Sequence, residues 1–403
     1  MDDRKAEPQT IESPADPFDP EFVKGLDHHI MKDITDHYFR PEMHGFEALP
    51  ENGPAILAAN HSGNAFPFDG MIFDLMLWRR DAYRQTGKVR GVFEKQLSVT
   101  WWMRLYGINN FWRRAGGIDL TFDNFDDLLK QGRRLFYFPE GVPGIGKGFN
   151  NRYQLQRFST SFVILSARHN APVHPVHIIN AEWSIPFSYT FGPIDRLLQK
   201  TLGIPFLPLP AAILGLIFPF AWYFSLPVRM VYVLGKPIDT RQLLRAAGTD
   251  PDQPSREAAR TVANQIQEEM QRELTGLVAQ HGKSPFGIWQ FLKKMWQAKF
   301  RFFRLTPLGW PFAIIGYTRD MARTPAKNVF HRLIRDWDVF AFYLPFGWPL
   351  VNLLRHLRKP PCGLRGLSRR EKRILQGQYH WNLQTHPLPD LPNAGAPDRH
   401  APS

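Results

Sequence analysis

A single cysteine, Cys362, stands in 403 residues. This excludes an intramolecular disulfide and any cysteine-rich metal site, and it is consistent with a reducing compartment. Residues 1–20 are acidic and proline-containing and read as disordered. They lack the basic-then-apolar order of a secretory leader, which argues against secretion. No Gly-x-Ser-x-Gly segment occurs, so the nucleophile elbow of a serine hydrolase is missing. There is no internal repeat and no recognisable nucleic-acid-binding motif. Long uninterrupted apolar runs are missing too. The longest uncharged stretch, Thr201–Val228, is long enough to cross a bilayer, but Pro205, Pro208, Pro210, Pro219 and Pro227 break it. Only Ala211–Leu226 can form a helix, kinked at Pro219. The stretch reads as an apolar loop and short helix that dips into one leaflet or lines a lipid pocket, with a buried core segment and a true span as the alternatives.

What is present is apolar and basic. With 43% hydrophobic and 14% aromatic residues the chain has ample material for a core. Its net charge is +13, yet residues Lys283–Arg373 hold 19 Lys and Arg against 4 Asp and Glu, so the basicity belongs to the C-terminal quarter. Such a block attracts polyanions. Here it is interleaved with apolar, aromatic runs such as Leu305–Thr318 and Val339–Leu354, a mixture that favours a lipid interface. A basic face with a protein partner is the next reading; nucleic acid is set aside.

From Gly45 to Thr240 strand-like runs alternate with helical stretches, the pattern of an α/β domain with a mixed sheet flanked by helices. Strands are expected at Ala55–Ala59, Val89–Phe93, Arg133–Phe138, Val173–Ile179 and Val228–Leu234. Helices are expected at Met71–Arg80, Phe125–Gln131 and Phe158–His169, with a lead-in helix at Phe22–Phe39. The domain spans residues 21–245. A polar helix in 246–282 follows, with Val262, Ile266, Met270, Leu274 and Leu277 near one face. A mainly helical, basic and aromatic extension occupies 283–380, and 381–403 form a disordered tail.

Two polar clusters close apolar strands: Asn60-His61-Ser62-Gly63 after Ala55–Ala59, and Phe138-Pro139-Glu140-Gly141 after Leu135–Tyr137. In α/β folds ligands bind outside the carboxyl ends of the strands. His61 is a candidate general base, a role commonly worth ~10²–10⁴ in rate, or a histidine that caps a helix. Asp69 is the nearest downstream carboxylate that can orient it. Glu140 either hydrogen-bonds substrate hydroxyls, orders its loop, or sits on an exposed turn. Gly141–Gly148 matches a phosphate-binding loop except at Gly148, where the magnesium-holding Ser or Thr is missing, and no helix start follows it. His174 and His177 have a metal-like spacing only on a helix. On a strand, residues three apart face opposite ways, so no metal site is expected.

The order Asn60-His61-Ser62-Gly63, Gly116-Gly117-Ile118-Asp119, Phe138-Pro139-Glu140-Gly141 and Ala171-Pro172-Val173-His174-Pro175-Val176, followed by Gly235-Lys236-Pro237-Ile238, resembles the conserved blocks of the glycerolipid acyltransferase family. The similarity covers roughly Gly45–Thr240 and is greatest to the monoacylglycerol-acyltransferase-like branch. The resemblance implies transfer of a fatty acyl group from acyl-CoA or acyl-carrier protein to a glycerolipid hydroxyl, with no metal or organic cofactor. It implies His61 as base, Asp69 as its partner, and Glu140 with Gly141 as the acceptor-side loop. Groups near Ser62 and Gly63 are candidates to stabilise the oxyanion, and Leu202–Tyr223 is expected to form the lipid side of the pocket. The protein is expected on the cytoplasmic face of a membrane, held by the apolar loop 202–224 and the basic region 283–373.

Three departures from the family pattern matter. Seven residues, Ser62–Phe68, separate His61 from Asp69 where the family usually has four. Leu120 stands where phosphate-using members carry an arginine, and Val142-Pro143 replaces Thr-Arg. Arg113, Arg114 and Lys147 are the candidate substitutes for phosphate binding; otherwise an uncharged acceptor, a mono- or diacylglycerol, gains weight. The same departures motivate the rival reading, a catalytically silent lipid-binding or scaffold protein that keeps the fold.

Overall fold

The computed structural model describes residues 18–63, 66–80, 82–83, 88–93, 101–108, 111–202, 208–298, 302–322 and 328–357. Most of the N-terminal stretch, the tail from 381, Cys362 and the basic residues after 357 lie outside them. Nine short strands are described: β1 (Glu42–His44), β2 (Ala55–Ala59), β3 (Val89–Phe93), β4 (Ile118–Asp119), β5 (Arg134–Tyr137), β6 (Val173–Ile179), β7 (Ser188–Tyr189), β8 (Leu209–Pro210) and β9 (Val231–Leu234). Seven form one sheet in the order β1-β9-β6-β2-β5-β3-β4, while β7 and β8 pair separately. From β6 across to β4 all neighbours are parallel; β9 pairs antiparallel to β6, and β1 runs parallel to β9. The sheet is mixed, as expected.

Alternation along the strands divides the core in two. Leu57 and Ala59 of β2 and Val176 and Ile178 of β6 face a cluster that includes Phe22, Phe39, Phe73 and Trp310. Ile56, Ala58, Val173 and Ile179 face Phe125, Phe162, Val262 and Ile266. β2 and β6 are buried on both faces, which is why β2 reads as a continuous apolar run rather than as an alternating one. The first face is covered by helix Phe68–Arg80, the N-terminal helical run 20–39 and the C-terminal helices. The second is covered by Phe122–Lys130, Ser161–Arg168 and the 26-residue helix Arg256–His281, whose Val262, Ile266, Met270 and Leu274 are buried as the spacing predicts. The helical run starts earlier than expected, because the Asp19 side chain accepts the Phe22 N–H and caps it.

After residue 283 the chain is helical: Ile288–Gln297, Phe302–Leu305, Trp310–Ala322, Val329–Arg335 and Gly347–Leu357. Trp310, Ile315, Val339, Phe342 and Trp348 are buried in the same cluster as Leu57 and Ala59, so this part packs onto the sheet domain. Part of its charge is neutralised internally. Arg319 pairs with Asp336 and Asp338, and Arg335 with Asp336 and Asp320.

The proline-broken stretch is not one long helix. Its described part forms β8, the helix Ala211–Ile217 and a single turn at Pro219–Trp222. Among the described residues no helix is long and apolar enough to cross a membrane.

Candidate active site

Register brings the two polar clusters together. β2 and β5 are parallel neighbours with Ala58 opposite Tyr137, and His61 and Glu140 each lie three residues beyond that pair. Both side chains are buried at the carboxyl end of the sheet. Glu140 Oε1 accepts the backbone N–H of His61 at 2.7 Å, and its Oε2 accepts that of Gln156 at 2.7 Å. Both oxygens therefore order the loops, the second of the expectations for this residue, rather than facing a substrate.

Asp69 reaches His61 despite the seven-residue separation. Its Oδ2 lies 3.1 Å from His61 Nδ1 and also accepts the Ser62 N–H at 3.0 Å and the Ser62 hydroxyl at 2.8 Å. Oδ1 accepts the Gly70 N–H at 2.9 Å, near the start of helix Phe68–Arg80. Asp69 thus serves helix and histidine together. Burial acts to raise its pKa, but the adjacent His61 and the hydrogen bonds from His61 and Ser62 outweigh it and hold the carboxyl below 3.8. The contact favours a proton on Nδ1, leaving Nε2 as the acceptor. The His61 ring stacks on Phe138 with centroids 4.0 Å apart and planes 16° apart.

Ser62 has both donors committed to Asp69, so its place is behind the histidine, not on an oxyanion. The Gly141 N–H is likewise taken, by Phe138 O at 3.0 Å. Lys147 is buried, its Nζ 3.6 Å from Glu140 Oε2 and without a hydrogen bond among the described residues. Its methylenes pack on Gly63. Arg113 and Arg114 are not brought to His61. Arg113 forms a buried bidentate pair with Asp119, at 3.1 and 2.7 Å, and Arg114 pairs with Asp19 at 2.7 Å. Gly141–Gly146 coils into a short helix instead of a phosphate-cradling loop.

Two further residues belong to the site. A β-carbon on Gly144 would lie 2.5 Å from Glu140 Cβ and 3.0 Å from His61 Cβ, so only glycine permits this approach. Glu182 is buried, and its carboxylate makes no hydrogen bond with a side chain among the described residues. Burial pushes it up to about 8, against the opposing pull of Lys147. The glycine-rich pattern was a signal for Gly144; nothing local in the sequence marks Glu182.

Beside His61 opens an apolar cavity. Its wall includes Met71 and Leu75, Val92 and Phe93, Phe111 and Trp112, and Phe138. Leu120 and Val142, the residues that replace family arginine and threonine, also line it. A second, almost wholly apolar cavity shares Met31, Met71, Phe111 and Trp112 with the first and extends to Trp310, Ile314 and Phe342. Of the described residues in the expected lipid wall, Leu202–Tyr223, Tyr223 lines the second cavity and none lines the first. His174 and His177 are on opposite faces of β6, and His177 Nε2 meets Glu273 at 2.8 Å.

A buried His–Asp pair at the mouth of an apolar cavity, on the carboxyl end of a mixed α/β sheet, defines the class, and comparison with known proteins agrees. Residues 40–179 match the family model described as Acyltransferase. Over 275 residues the chain is 30% identical to an uncharacterized protein of Mycobacterium tuberculosis, covering 67% of this chain and 70% of the relative. An uncharacterized protein of Mycobacterium leprae is 29% identical over 274 residues, 67% of this chain and 69% of its own. The chain belongs to the acyltransferase family. The crystal structure of the 1-acyl-sn-glycerophosphate acyltransferase of Thermotoga maritima aligns with 63% of this chain and 79% of its own, at 16% identity and a TM-score of 0.35.

Proposed function

We propose that the protein is a membrane-associated O-acyltransferase that moves a fatty acyl group from a thioester, acyl-CoA or acyl-carrier protein, to the hydroxyl of a glycerolipid. His61 Nε2 takes the hydroxyl proton as that oxygen attacks the thioester carbonyl. Asp69 holds the ring and stabilises the imidazolium. The tetrahedral intermediate collapses with cleavage of the carbon–sulfur bond, and the departing thiolate takes the proton from His61, leaving ester and thiol. The Gly63 N–H, which has no acceptor among the described residues, is the candidate donor to the oxyanion.

The observation that carries this reading is the His61–Asp69 pair opening onto an apolar cavity. The cavity suits the acyl chain, and its neighbour suits a chain already present on the acceptor. Leu120 and Val142 in the wall, and Arg113 and Arg114 engaged elsewhere, favour an uncharged acceptor such as a mono- or diacylglycerol over a phosphate-bearing one.

Exposed apolar side chains support a membrane surface. Trp289 is 85% and Trp296 71% exposed on helix Ile288–Gln297, beside Lys293 and Lys294. Ile213, Leu216 and Phe218 are exposed in the proline-broken stretch. The cytoplasmic face of the membrane is the proposed location.

The test is a panel: purified protein in nanodiscs, a long-chain acyl-CoA, and monoacylglycerol, diacylglycerol, lysophosphatidic acid or a fatty alcohol. An acylated neutral glyceride is the expected product. Preference for lysophosphatidic acid overturns the acceptor assignment. No transfer from acyl-CoA or from acyl-carrier protein favours a silent lipid binder.

A further inference from the structure

Among the described residues lining the cavity beside His61, Asp74 is the only acidic one. It makes no hydrogen bond or ion pair with any of them, and Oδ1 is shielded from solvent without a partner. Burial raises its pKa to about 7, with Arg90 pulling the other way, so near neutrality the carboxyl can donate as well as accept. Its place is built into the neighbouring strand. A β-carbon on Gly91 of β3 would fall 2.4 Å from Asp74 Oδ2, so the carboxyl occupies room that only glycine leaves. Arg90 attracts it without bonding to it, its own Nε donating to Gly116 O at 2.6 Å.

The helix fixes where this group stands relative to the chemistry. Gly70, Asp74 and Trp78 follow at helical spacing on the face of Phe68–Arg80 that walls the cavity. Asp69, which holds His61, begins that helix, and Asp74 comes roughly 7.5 Å further along its axis at about 1.5 Å per residue. His61 and Asp74 line the same cavity, so a chain that fills it with its carbonyl at His61 shares it with the Asp74 carboxyl.

We propose that Asp74 makes this cavity selective for an acyl chain bearing a hydroxyl, which hydrogen-bonds the carboxyl while the thioester carbonyl stands at His61. Asp74 is half-buried; a plain chain filling the cavity displaces water from the carboxyl without replacing its hydrogen bond, and a site built around a hydrogen bond discriminates against the analogue that lacks it. The inference rests on the assignment of this cavity to the acyl chain.

Binding is tested by titration calorimetry with palmitic acid and with hydroxypalmitic acid isomers that walk the hydroxyl along the chain, on wild type, Asp74→Asn and Asp74→Leu. One isomer, or an adjacent pair, is expected to bind wild type about tenfold more tightly than palmitic acid. Asp74→Leu should reverse that order and Asp74→Asn should narrow it. A flat wild-type profile overturns the proposal even if a variant fails to fold, as does a preference that survives in Asp74→Leu. Transfer assays with the matching CoA thioesters separate the two claims. Acyl transfer with no hydroxyl preference removes this inference and leaves the transferase reading. Selective binding without transfer does the reverse.

Discussion

Glu140 Oε1 and the backbone N–H of His61 are joined by a buried 2.7 Å hydrogen bond across 79 residues of sequence. With Gln156 N–H on its other oxygen, Glu140 ties the ends of β2 and β5 to the loop that follows them. In the proposed mechanism Glu140 is therefore a positioning residue, and the catalytic contact is assigned to His61.

Replacing Glu140 should therefore lower stability and turnover together. Glu140→Ala strands the buried His61 N–H, at about 1–3 kcal/mol, and the half-buried Gln156 N–H at a lower cost. Glu140→Gln keeps one acceptor and should lose less. Thermal melts beside steady-state kinetics check this; a variant with wild-type Tm but abolished binding of the acceptor would place Glu140 on the substrate instead.

Asp69→Asn keeps the shape of the side chain but removes the charge that stabilises an imidazolium. We expect kcat to fall by about 10³-fold or more with KM little changed, by analogy with other carboxylate–histidine pairs. Circular dichroism should be unaltered. A loss confined to KM would assign Asp69 to substrate binding.

Gly144→Ala puts a methyl group into the contact between Glu140 and His61. A small residue added on the surface normally changes stability by less than about 0.5 kcal/mol; here both Tm and kcat should drop. Unchanged kinetics would mean the helix Gly141–Gly146 can shift without disturbing His61.

The pH dependence of stability should carry the signature of Glu182. Its folded pKa, raised by burial from 4.5 to about 8, means the folded state retains a proton that the unfolded state loses first. Between those values the folded state binds more protons, so unfolding free energy falls as pH rises, and the decline ends above about 8. Glu182→Gln should flatten the Tm profile between pH 5 and 8, and an unaltered slope would remove Glu182 as its source.

The sequence made the strands β2, β3 and β6 legible to the residue: β2 is an apolar run, and β3 and β6 are rich in Val, Ile and Phe despite Arg90, His174 and His177. It did not show β1 or β4, which are three and two residues long and carry polar side chains, so neither periodicity nor composition marks them. His61 and Glu140 were visible as polar clusters after strands, but what Glu140 bonds to depends on Gln156, sixteen positions away in a loop. Arg113 and Arg114 stood out as charges near a motif. Their partners Asp119 and Asp19 are known only once β4 and the N-terminal helix are in place. Asp74 reads as an ordinary polar residue on a helix until the fold turns it toward a cavity. The surroundings of a half-buried carboxyl are a tertiary property that local sequence does not encode.

The most direct measurement compares thiol release and ester formation by wild type and His61→Gln, in nanodiscs with a long-chain acyl-CoA and the acceptor panel. The account predicts ester and thiol in equal amounts from wild type. It predicts a fall of about 10³-fold or more in the variant, with Tm and lipid binding retained. Transfer that continues unchanged without the His61 imidazole would contradict it.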